Sequence, residues 1–129
     1  MEILSSRVIL RPARPDAALR FYRDVLGLAI YREFPGGTVF FLGNGLLEVS
    51  GTADTAAAAD GAGLRLWLQV RDLEAVHAHL RGHGVPVLRE PRREAWGLDE
   101  MWVADPDGTR IVMVEIPPEH PIRRDVRGD

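Results

Sequence analysis

Two stretches of this chain follow one plan, and that repeat limits what the chain can fold into more than any other feature. RVILRPARPDAALRFYRDVLGLAI (7–30) opens as a strand, and Pro15 and Asp16 then suit the first turn of a helix. Ala18, Leu19, Tyr22, Val25 and Leu26 give that helix an apolar stripe, and Gly27 ends it. RLWLQVRDLEAVHAHLRGHGVPV (65–87) repeats the plan: Leu66, Leu68 and Val70 alternate, Asp72 is placed to cap a helix, and Leu73, Val76 and Leu80 form its stripe. Gly82 or Gly84 ends this second helix. At an offset of 58, Arg7 falls on Arg65, Leu10 on Leu68 and Asp16 on Glu74.

Three short strands are expected after each helix. In the first half they are 29–34, 38–42 and 46–50, with Gly36-Gly37 and Gly43-Asn44-Gly45 as turns. In the second half they are 85–89, 99–104 and 110–116, the last pair joined by DPDG, where Pro106 and Gly108 fit turn positions. Each half reads β-α-β-β-β. The predicted class is α+β, with module 5–50 and module 64–116 in a single domain, a small and polar linker at 51–63, and a proline-rich charged tail at 117–129.

Composition removes several classes of function. With 129 residues, 46% hydrophobic and 27% charged, the chain can bury a core without staples. There is no cysteine, so thiol catalysis, disulfides and cysteine-ligated metals are excluded. All 16 basic residues are arginine, which removes lysine Schiff-base chemistry and the P-loop. A net charge of −3 gives no general field for nucleic acid. No apolar run approaches the ~20 residues that span a bilayer, and MEILSSRVILRP is too short and polar for a signal peptide, so a cytoplasmic location is expected.

FYRDVLGL near the start and DPDGTRIVMVE near the end, set in duplicated β-α-β-β-β halves, resemble the vicinal oxygen chelate superfamily. That group includes glyoxalase I, extradiol dioxygenases, methylmalonyl-CoA epimerase, fosfomycin-modifying transferases and bleomycin-binding resistance proteins. The similarity runs from about residue 5 to 116. It implies a curved eight-stranded sheet forming a cup, helices on the outer face, a ligand inside, and often a homodimer. Fold alone does not fix activity, since this one serves enzymes and pure binders.

Strand alternation then sorts side chains between the helix side and the cup. Val8, Leu10, Leu47, Val49, Leu66, Leu68, Val70, Ile111 and Met113 suit the core. Arg7, Ile9, Arg11, Leu46, Glu48, Arg65, Trp67, Gln69, Arg110, Val112 and Val114 face the cup. Either Phe40 or Phe41 lines it, and Trp102 can face either way. Trp96-Gly97 lies in a loop of the kind that borders the pocket in similar proteins.

Metal-dependent members use a His or Gln on the first strand of each half and a Glu on the last. The matching positions here are Arg7, Glu48, Arg65 and Val112. Arginine has no lone pair to donate. Its charge ~4 Å from a divalent ion, at an effective dielectric of ~20, is repelled by roughly 8 kcal/mol. Glu115 is three residues past Val112, at opposite parity, and resembles a more peripheral acid of the motif. His77, His79, His83 and His120 fall on the second helix, its exit and the tail, with no route to the cup. No metal and no cofactor are expected.

Arg7 and Arg65 flanking Glu48 read either as a structural ion cluster or as an anion site, with Arg11 at the rim. Trp67 and Trp96 offer aromatic walls, and Val112 lines the floor. Two functions stand: a metal-free binder that sequesters or senses an aromatic or anionic small molecule, as in antibiotic resistance, or an enzyme of lyase, isomerase or dioxygenase type. The enzyme would use Glu48 as base or an atypical metal site. Neighbouring arginines would lower the Glu48 pKa and weaken it as a base.

Overall fold

Pro15 and Asp16 do open a helix. The structure, a computed structural model, describes residues 1–51 and 64–120. The linker from 52 to 63 and the tail from 121 onward lie outside the described residues. The chain divides between residues 62 and 63 into two compact units, and each carries one copy of the plan.

In the first unit, β1 (Arg7–Leu10) leads to α1 (Pro15–Arg20), which continues as a wider helical turn over Phe21–Val25. There the Leu26 N–H reaches back five residues to the Phe21 carbonyl, at 2.8 Å. Gly27, at φ +70, lets the chain leave the helix through a backbone conformation that favours glycine. Then follow β2 (Ile30–Phe34), β3 (Gly37–Leu42) and β4 (Gly45–Ser50). The sheet order is β1-β4-β3-β2, with β1 and β4 parallel and the other pairs antiparallel. Ala18, Phe21 and Tyr22 are buried on the helical side together with Phe40, Leu47 and Val49. Burying the larger of these side chains contributes about 1.5–3 kcal/mol each.

The second unit repeats this with β5 (Arg65–Gln69), α2 (Leu73–Gly82), β6 (Val87–Arg93), β7 (Asp99–Ala104) and β8 (Arg110–Glu115). The order is β5-β8-β7-β6, again with one parallel pair, β5 and β8. Asp72 caps α2 by accepting the Ala75 N–H at 3.0 Å. Glu115 accepts the Leu73 N–H at 2.8 Å, so this acid serves the helix start. The helix runs through Gly82, and Gly84, at φ +72, lies in the turn that follows. Asp105 holds the DPDG turn by accepting from the Asp107 and Thr109 N–H groups at 2.8 and 2.9 Å.

Several boundaries differ from expectation, β2, β3 and β4 by one residue at their starts and β6 by two at its start. β6 runs to Arg93 instead of stopping at Arg89. Pro91 is tolerated inside it because β6 is an edge strand, and its pairing shifts at Val87/Arg89 and Arg89/Arg92. β5 ends at Gln69, one residue before Val70. β8 ends at Glu115, leaving Ile116 as a buried residue beyond the strand.

Candidate functional site

Each sheet has one face packed by its helix and one that is helix-free. The register gives the helix-free face of the first unit as rows across the strands. Ile9 stands beside Glu48, Glu48 beside Val39, and Val39 beside Arg32. The neighbouring row is Arg7, Leu46 and Phe41. Phe41, not Phe40, therefore takes this face: Phe41 is 48% exposed and Phe40 is fully buried. Tyr31 meets Phe41 edge-on at 5.3 Å.

Glu48 is the centre of this face, and both of its oxygens are engaged. Arg7 Nη1 donates to Oε1 at 2.8 Å and the Ser50 hydroxyl donates to Oε2 at 2.7 Å. Ser50's hydrogen bond, then Arg7's, hold the carboxyl below its ordinary value against the opposing effect of burial, and the Arg11 charge adds to this. Ser50 was missed from sequence, though it stands two residues from Glu48 on one strand and so shares its face. Gly37 lies opposite Ser50. A Cβ there would sit 2.6 Å from the Phe34 ring and 2.7 Å from the Ser50 Cβ, so only glycine fits without a shift.

The corresponding rows in the second unit are Trp67, Val112, Trp102 and Arg89, and Arg65, Arg110 and Ala104. The register settles Trp102 on the helix-free face, beside Val112. Arg65 and Trp67 are exposed on this face, as expected from alternation. Val112 is half-buried, and Val114 is fully buried under a cluster with Leu98 and Ile116. Val114 was expected to line an open cavity; the residues around it close that end of the face.

An ion network missed from sequence occupies the far edge. The Arg89 guanidinium lies over the Trp102 ring, 4.2 Å from its centre. Arg89 donates to Glu94, and to the Glu100 carbonyl at 3.1 Å. Glu94 and Glu100 are both buried. Trp96 Nε1 donates to Glu100 at 2.8 Å, while the Trp96 side chain stays largely exposed. Its turn is held from outside by His120, whose Nε2 lies 2.8 Å from the Trp96 carbonyl. Trp102 Nε1 and Arg89 Nε are buried without a hydrogen-bond partner among the described residues.

The residues at the four family positions do not fit a divalent ion. Arg7 and Arg65 offer no lone pair and Val112 no polar atom. Glu48 already has each oxygen bonded to a donor. Among the described residues, no three His, Cys, Asp or Glu side chains come together as a possible metal cluster. His77 faces Glu90 at 3.1 Å, and the His79 and His83 rings lie tilted against each other with centroids 4.5 Å apart.

Two tandem βαβββ modules, each with a helix on one face of a four-stranded sheet, define the class of protein. The sequence profile of the glyoxalase/bleomycin resistance protein/dioxygenase superfamily matches residues 5–113, and the chain belongs to that superfamily. Among solved structures, it is similar to a glyoxalase-related enzyme from Fulvimarina pelagi, with 21% identity, 91% of this chain and 90% of that one covered, and a TM-score of 0.72. A lactoylglutathione lyase from Agrobacterium tumefaciens gives 20% identity, 89% and 94% coverage, and a TM-score of 0.68. TioX from Micromonospora sp. ML1 gives 18%, 87% and 95%, and 0.69. At these identities the likeness is one of fold. No curated protein matches the chain in sequence. No helix among the described residues is long and apolar enough to cross a membrane.

Proposed function

We propose that this chain is a small-molecule-binding member of its superfamily that works without the family's metal and sequesters or senses an aromatic or anionic ligand. One observation carries the reading: the single metal-competent side chain at the family positions, Glu48, is taken up by Arg7 and Ser50. Arg7, Arg11, Glu48, Arg65, Trp67, Trp96 and Val112 are the ligand-facing residues on this reading. Trp67 and Trp96, at 51% and 59% exposed, support an aromatic wall. Arg65, exposed and without an ion pair in its own unit among the described residues, supports the charge. Arg7 supplies less charge than its position promised, because Glu48 neutralises it.

A second reading is an enzyme of lyase, isomerase or dioxygenase type, with Glu48 as base or an atypical metal site. Two structures similar in fold, a lactoylglutathione lyase and a glyoxalase-related enzyme, favour it. Against it stands the lowering of the Glu48 pKa by Ser50 and Arg7, which weakens the carboxylate as a base.

The two readings separate in one experiment. A thermal-shift screen over aromatic antibiotics and aromatic acids identifies ligands, and each hit is incubated with the protein and followed by mass spectrometry. Unchanged ligand, with binding weakened by Trp67→Ala for every hit, supports sequestration. Conversion of a hit that stops with Glu48→Gln supports the enzyme and removes the binder reading. The exposed Ile9, Tyr31 and Phe41 also support a homodimer. Sedimentation at micromolar concentration is expected to give twice the chain mass.

A further inference from the structure

β5 and β8 run parallel and in register, which places Arg65 directly beside Arg110 and Trp67 beside Val112. Side chains two apart on a strand share a face and stand about 7 Å apart along it. Arg65, Arg110 and Trp67 are therefore one surface on the helix-free side of the second unit. Both arginines are exposed, and neither has a hydrogen bond or ion pair in its own unit among the described residues. Four acids of that unit are committed elsewhere: Glu94 to Arg89, Asp99 to Arg93, Glu100 to Trp96 and Glu115 to the start of α2.

Like charges side by side on neighbouring strands repel one another. Across the same sheet, by contrast, Arg89 and Arg93 each have a carboxylate. Two guanidinium groups left adjacent and uncompensated have the chemistry of a receptor for an oxyanion. Their planar forks match the spread oxygens of a carboxylate, sulfonate or phosphate, and their weak hydration favours partly dry contacts. Trp67, half exposed in the next row, gives a flat apolar surface beside them.

We propose that Arg65 and Arg110 form a two-armed oxyanion clamp and that Trp67 carries the ring of the same ligand, so the ligand class is a flat aromatic bearing an oxyanion. This rests on the small-molecule-binding reading above. It adds Arg110, and it narrows the ligand from aromatic or anionic to both at once. Arg7, already paired with Glu48, is not part of the clamp.

The test uses the full chain and two probes of one shape, 1-naphthoate and 1-naphthamide, with binding read by quenching of tryptophan fluorescence at neutral pH. The wild type is expected to prefer the naphthoate. Arg110→Met and Arg65→Met are each expected to weaken naphthoate binding about tenfold or more, the size of a lost charge-assisted hydrogen bond, and to leave naphthamide within about twofold. Added salt weakens the naphthoate alone. If Arg65→Met acts and Arg110→Met does not, or if both probes lose equally, the clamp is overturned while the binding reading survives. The clamp likewise falls if the wild type binds both probes alike. If neither probe binds the wild type, the clamp and the aromatic-wall reading of Trp67 fall together.

Discussion

The central row of the first sheet is Ile9, Glu48, Val39 and Arg32; that of the second is Trp67, Val112, Trp102 and Arg89. The backbone frame is the same, with one parallel strand pair and an arginine on the outermost strand of each. The chemistry is inverted. The first row has an acid at its centre and aliphatic neighbours. The second has a valine at its centre and a tryptophan on either side. On equivalent frames, one face carries a satisfied ion pair and the other an aromatic and cationic surface. The rows differ while the two units keep the same strand order and a helix behind each sheet.

The two rows differ most in energy at the arginines on their ends. Arg89 is mostly buried and compensates the buried Glu94, whereas Arg32 is exposed and rests near the Phe34 ring at 5.5 Å. Arg89→Met leaves the buried Glu94 carboxylate with only the exposed Arg92, 3.7 Å away, and we expect it to lower unfolding stability by about 3 kcal/mol. Arg32→Met is expected to lose about 0.5–1 kcal/mol. Urea denaturation of the two variants checks this. Equal losses would mean the rows are equivalent after all.

A smaller effect is expected at Glu48, and it depends on pH. Its folded pKa is depressed, so its contribution to stability is present above the unfolded value of 4.5 and is lost as pH falls below that toward the folded value. Wild type should be more stable than Glu48→Gln at pH 7, and the gap should close as pH falls below about 4.5. Thermal melts from pH 7 to pH 3 measure the gap. One that stays constant with pH would show that the carboxylate charge is not what Arg7 and Ser50 stabilise.

The smallest effect is expected at Trp102. Its buried N–H has no partner among the described residues, and an unsatisfied buried donor costs about 1–3 kcal/mol. Trp102→Phe removes that donor along with part of the ring beneath Arg89, and the two terms oppose each other. Melts are expected to shift by only a few degrees in either direction. A large loss would mean the indole N–H does have a partner.

Local signals carried most of the fold. Asp72 reads as a cap from its place before an apolar stripe, and DPDG reads as a turn from its composition, because both depend only on neighbours in sequence. Alternation placed Val8, Leu10, Leu66 and Ile111 toward the helices and Arg7, Glu48, Arg65 and Trp67 away from them, because the period of a strand is independent of its partners. The Arg89, Glu94 and Glu100 network was not legible. It depends on an edge strand that carries a proline and two register shifts, and no local period survives those. Val114 had the right parity, yet the cover supplied by Leu98 and Ile116 comes from residues outside the strands. In the site itself, the Arg7–Glu48 pair was one of two open readings; its third member, Ser50, was available from spacing and went unread.

The most direct test of the account is elemental analysis of the full chain purified without chelator, alongside Glu48→Ala. Neither protein is expected to hold stoichiometric zinc, nickel or iron, since Arg7, Arg65 and Val112 offer no ligand and Glu48 is held by Arg7 and Ser50. A stoichiometric metal in the wild type that disappears with Glu48→Ala would contradict it and restore the metal-dependent enzyme.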